Sequence, residues 1–260
     1  MSALLFPGQG SQFVGMGNEF FNKFDKVKKL FKLAYEKLNR PISKIILEGP
    51  EDQLQLTENT QPAILIVSYS IFKVMQEEFD LDFKNFNFFA GHSLGEYTAL
   101  VCSNSLKIED AIYLLQEIGK AMQEAVPVGK GSMIAILGME IEKINELLKS
   151  TNFNQGTCEV ANDNAKGQII ISGDKINVDL FTIKLKEQKI KTIPLKVSAP
   201  FHCSLMKPAA EAIREKISKI NFDIPNKNIV NNVNASIEKN PEKIKDLLVK
   251  QIYSSVKWRE

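Results

Sequence analysis

A chain of 260 residues, 44% hydrophobic and 25% charged, is long enough to bury a sizeable core, which excludes a disordered body. Its 33 Lys and Arg against 31 Asp and Glu leave a net charge of +2, with most lysines interleaved with acids, as in residues 23–40, so nucleic acid is not an expected partner. Cys102, Cys158 and Cys203 form neither a disulfide framework nor a C-x-x-C metal pair, and Pro7 and Gly8 break the only early apolar run, so a soluble protein of the reducing cytoplasm is expected, with no leader and no membrane contact.

Short apolar runs alternate with longer amphipathic segments, the pattern of an α/β fold. Residues 3–6 read as a short buried strand that ends in the loop Pro7-Gly8-Gln9-Gly10-Ser11-Gln12. Residues 20–38 carry helical periodicity. Residues 57–61 supply helix caps, Pro62 suits a first helical turn, and residues 63–75 follow as a largely buried helix. Residues 86–90 form the next strand, and the helix after it opens at Glu96 and reaches Cys102. The rhythm then changes: a strand at 132–137, a helix at 140–149, strands at 158–161 and 168–172, a helix at 178–188 and a strand at 191–197. This βαββαβ order is the ferredoxin-like split unit. A small domain at 130–197 is therefore expected within a large one made of 1–129 and 198–260.

The strand at 86–90 runs straight into Gly91-His92-Ser93-Leu94-Gly95 and then a helix. Alone, G-x-S-x-G also suits an ordinary loop turn; between a strand and a helix it is a nucleophile elbow. Its glycines permit a sharp turn that lifts the Ser93 hydroxyl above the sheet, and the Leu94 N–H at the helix start is the natural first donor of an oxyanion hole. A serine nucleophile needs a base, and the chain has two histidines, His92 and His202. His92 adjoins Ser93 on the elbow, where neighbouring side chains diverge. His202 lies in Ala199-Pro200-Phe201-His202-Cys203, between a strand and a helix, where catalytic groups are often carried. Its alternative is an ordinary surface or capping histidine.

Six ordered blocks resemble the malonyl-CoA:acyl carrier protein transacylases of bacterial fatty-acid synthesis: LFPGQGSQ, TENTQPA, GHSLGEYTALVC, MQEAVP, APFHCSLMKPAA and QIYSSVKW. The resemblance implies a large α/β-hydrolase-like domain with an inserted ferredoxin-like one. It implies Ser93 as the acylated nucleophile, His202 as its base, and Gln251 as the residue that orients the histidine where an acid usually stands. Gln9 resembles the residue whose backbone joins Leu94 in the oxyanion hole, although a plain loop glutamine would read the same. Ile118, Met122 and Phe201 fall where the acyl pocket is expected. The implied partners are acyl-CoA and acyl carrier protein, acting on a monomer, with neither metal nor bound cofactor.

Two departures stand out. Malonyl-selective members of the family carry an arginine in the helix before MQEAVP, and here that position is Ile118, while Lys120 lies on another face of the helix. Malonyl transfer is the reading at family level; transfer or hydrolysis of an uncharged acyl group such as acetyl, or a silent carrier-binding module, stay open beside it. Phenylalanine at 201 resembles members that take unbranched acyl units. The family also continues for several dozen residues past the block resembling QIYSSVKW, so a shortened chain is expected.

Overall fold

The apolar run at the start of the chain forms strand β1 (Ser2–Phe6), parallel to β2 (Phe86–Gly91), in a computed structural model that describes residues 2–153 and 155–260. The chain divides into two units, one of Met1–Lys120, Glu215–Asn231 and Ser236–Lys245, the other of Ala121–Arg214, Asn232–Ala235 and Asp246–Glu260.

In the first unit, β2 also pairs in parallel with β7 (Asn228–Val230), and β7 in turn pairs antiparallel with β8 (Ile237–Glu238), giving the order β1-β2-β7-β8. A parallel β1–β2 pair needs a long crossover. Helices α1 (Asn18–Lys23), α2 (Asp25–Leu38), α3 (Ile42–Glu48), α4 (Glu51–Gln55) and α5 (Thr57–Glu77) supply it. The single helix expected over 20–38 is two, because Phe24 is extended (φ −121°, ψ 117°) with its ring against Phe20 and Phe79. The residues expected to cap α5 are instead inside it, and so is Pro62. Asn59 Nδ2 and Thr60 Oγ1 donate to the Gln53 and Leu54 carbonyls (2.8 and 2.5 Å), so these polar side chains fasten the first turns of α5 to α4. Ile64, Leu65 and Ile66 are all buried, as befits a helix apolar on every side.

The second unit holds β3 (Gly131–Leu137), β4 (Cys158–Ala165), β5 (Gln168–Asp174) and β6 (Lys191–Pro194), all antiparallel, in the order β4-β5-β3-β6. Ile134, Ile136, Ile169 and Ile171 on the sheet close a core with Ile144 and Leu147 of α8 (Ile141–Lys149) and Val178, Phe181 and Leu185 of α9 (Lys175–Glu187). This is the ferredoxin-like arrangement, with the βαββαβ order expected from the sequence. The last strand ends at Pro194, short of the 191–197 expected, with one further bond from the Leu195 N–H to Met133 O at 3.0 Å. A tight turn, Val197 N–H to Leu195 O at 3.1 Å, then takes the chain off the sheet. The outer edge of β4 is covered by residues 256–259: Val256 exchanges bonds of 2.9 Å with Ala161 and Asp163, and the Arg259 N–H reaches Asp163 O at 2.9 Å.

Candidate active site

The turn around Ser93 is set by steric exclusion at both ends of the elbow. A Cβ on Gly91 would collide with the backbone of Gly95 and Glu96, and one on Gly95 would sit 2.5 Å from the Phe6 carbonyl oxygen. Between them Ser93 is left-handed (φ 54°), a conformation unfavourable for a side-chain-bearing residue and frequent where function dictates it. The His92 N–H donates to Phe6 O (3.0 Å), tying the elbow to the end of β1. Helix α6 (Gly95–Cys102) follows, buried along its whole length, with Leu94 just ahead of it among the positions whose N–H groups a helix start leaves over. The positive end of α6 therefore lies at the serine.

Gln9 belongs to the same unit. Gly8 is pressed against the elbow, where a Cβ would lie 2.5 Å from His92 O and 2.9 Å from its Nδ1. The loop is braced by Ser11 Oγ to Gly8 O (2.8 Å), the Gly10 N–H to Gln12 Oε1 (2.7 Å) and Gln12 Nε2 to Gln55 Oε1 (2.6 Å). Gln9 is thus held between Gly8, which abuts His92, and Gly10.

His202 belongs to the second unit. It is 5% exposed and also left-handed (φ 58°). Its Nδ1 lies 2.9 Å from the backbone carbonyl oxygen of Gln251, the last residue of α11 (Pro241–Gln251). A carbonyl only accepts, so in the neutral ring Nδ1 carries the proton and Nε2 is the basic nitrogen. The partner is main chain at a helix C-terminus, the negative end of the dipole, which favours a developing imidazolium. The loop before His202 is seated on the sheet: a Cβ on Gly131 would run into the Pro200 ring, and Cys203 Sγ donates to Pro200 O (3.2 Å).

The cysteines do not compete as nucleophiles. Burial pushes the Cys203 thiol up to about 11 and that of Cys158 to about 12, and it raises Cys102 well above the ordinary range.

Of the residues expected at the acyl pocket, Ile118 is in the first unit, 3% exposed on α7 (Ile108–Ala125), while Met122, one turn on, and Phe201 are buried in the second. The next residue, Gly119, has no room for a Cβ, which would lie 2.6 Å from Glu58 Cα. Lys120 turns back onto its own helix, to Gln116 Oε1 (3.3 Å) and Glu117 Oε1 (2.9 Å). It does not replace a cation at 118. The resemblance pointed to Gln251 as the residue beside the histidine, but not to its main-chain carbonyl as the contacting group, since any residue type has a carbonyl.

A family model described as acyl transferase domain matches residues 3–260. The chain is 41% identical over 259 residues to the malonyl CoA-acyl carrier protein transacylase of Bacillus subtilis, covering 99% of this chain and 80% of that protein. The solved acyl-carrier-protein-S-malonyltransferase from Bartonella henselae superimposes with a TM-score of 0.94 at 39% identity, over 99% of this chain and 82% of that one. A malonyl-transacylase solved in complex with its type II PKS acyl-carrier protein gives 0.93 at 40% identity, over 98% and 82%.

Proposed function

This chain belongs to the malonyl CoA-acyl carrier protein transacylase family, and from that premise we propose that it moves a malonyl group from coenzyme A to the phosphopantetheine thiol of an acyl carrier protein by way of acyl-Ser93. The observation that carries the reading is the left-handed Ser93 in a glycine-bounded turn between β2 and α6. His202 Nε2 takes the Ser93 proton as Oγ attacks the thioester carbonyl. The Leu94 and Gln9 N–H groups hold the tetrahedral oxyanion, and the C–S bond breaks as His202 returns the proton to the departing sulfur. The carrier thiol then gives its proton to His202 and attacks the acyl-serine carbonyl, and Ser93 regains the proton as its C–O bond breaks. The catalytic module comprises 1–129 with 198–260 and the ferredoxin-like module 130–197. Among the described residues no helix is long and apolar enough to cross a membrane, and we place the reaction in the cytoplasm.

Ile118 supports a second reading for the acyl group. A carboxylate buried without a partner costs about 3 to 5 kcal/mol, or about two to three and a half powers of ten in rate. An aliphatic residue there favours an uncharged unit such as acetyl. Intact-mass measurement after mixing with malonyl-CoA or acetyl-CoA decides between them: a malonyl adduct on Ser93, passed on to holo carrier protein, is the expected result. Acetyl adduct alone establishes the second reading, and no adduct with either overturns the serine acyltransferase. Free acid released at the same rate without the carrier identifies a hydrolase. Ile118→Arg is expected to raise malonyl transfer by about 10- to 100-fold relative to acetyl transfer.

A further inference from the structure

Glu159, on β4 of the ferredoxin-like sheet, spends its whole carboxylate on one residue of the base loop. Its Oε2 accepts the Ser204 backbone N–H at 2.9 Å and its Oε1 the Ser204 hydroxyl at 2.6 Å. Thr157, just ahead of the strand, brings its Oγ1 to 3.2 Å from that hydroxyl. Ser204 opens the 3-10 turn Ser204–Met206, which leads directly into α10 (Lys207–Ser218). Its N–H is one of the donors a helical start leaves unsatisfied, a need met ordinarily by the preceding side chain. Cys203 occupies that preceding position and makes no capping bond. A carboxylate from the edge strand of the small sheet caps the turn instead.

The placement matters because His202 is only two residues upstream. A left-handed backbone at a histidine persists where its surroundings impose it. Here the chain is fixed on one side by Pro200 packed over Gly131 and on the other by Ser204 on Glu159. We propose that Glu159 is a positioning residue: by holding Ser204 on the sheet it keeps His202 in the left-handed conformation that directs Nδ1 to the Gln251 carbonyl. The inference rests on His202 being the base of the transfer reaction. A shift of about 1 Å in a group that must meet its reaction partner costs about 100-fold in rate.

The chain has two histidines, so imidazole NMR can follow His202 against His92 as an internal control. Glu159→Ala is expected to lose or shift the His202 Nδ1–H resonance and leave His92 unmoved. Its kcat for malonyl transfer falls by about 10- to 100-fold, with KM for malonyl-CoA within about 3-fold. Glu159→Gln keeps an acceptor oxygen for Ser204 and is expected to restore kcat to within about 5-fold of wild type. A folded Glu159→Ala protein with wild-type kcat and an unshifted His202 resonance overturns the inference. If Glu159→Ala does not fold, the double variant Glu159→Gln, Ser204→Ala decides on the same two readouts. Failure of wild-type protein to acylate Ser93 from either malonyl-CoA or acetyl-CoA overturns the functional reading, and the imidazole readout then still decides whether Glu159 holds His202.

Discussion

Two side chains assigned to the chemistry, Ser93 and His202, stand on left-handed backbone, each imposed by close packing that excludes a Cβ nearby. The glycines of the elbow are therefore structural requirements before they are catalytic ones. Gly95→Ala places a methyl against the Phe6 and Pro7 carbonyls, and the expected result is a loss of about 3 kcal/mol, read as a lower urea midpoint at an unchanged slope. The elbow around Ser93 was legible in the sequence because a strand, a tight turn and a helix in succession constrain one another over few residues. That Gln251 meets His202 through its main-chain carbonyl was not, because the resemblance named the residue but a carbonyl leaves no mark on residue type, and the two positions are 49 apart in sequence.

At the scale of elements, local periodicity foretold the alternation of strands and helices, and long-range contacts decided their ends. Phe24 breaks a helix to place its ring, and polar residues read as caps of α5 serve to tie it to α4. The contact of α7 with α10 was equally invisible beforehand. Glu117, largely buried on α7, accepts bonds from Lys120 and from Lys216 of α10. Burial works to raise its carboxyl, but the two ammonium groups outweigh it and hold the carboxyl below its ordinary range. A depressed folded value stabilises the fold above the unfolded value and ceases to do so as pH falls through the folded one. Glu117→Gln is accordingly expected to be less stable than wild type by about 1 kcal/mol at pH 7, with the gap closing below about pH 4, by urea titration across that range.

For the molecule as a whole, the sequence foretold both sheet-bearing parts, but not that residues 256–259 return to pair along β4. No periodicity marks such a segment. Asp163 is 3% exposed, and its Oδ2 is held by Arg259 Nε and Nη2 at 2.9 Å, while its Oδ1 is buried with no partner among the described residues. Arg259→Ala leaves that carboxylate unpaired, and since Arg259 itself is partly exposed the expected loss is about 2 kcal/mol. Adding Asp163→Asn is expected to recover about half of it, a coupling that a double-mutant cycle of melting curves measures.

The left-handed turn at Ser93 also makes durability and turnover opposing demands. Glycine adopts that conformation without steric penalty, so Ser93→Gly is expected to resist heat at least as well as wild type, with a gain of up to about 1 kcal/mol, while forming no acyl adduct. Selection for heat resistance alone would thus lead this chain away from the nucleophile proposed for it.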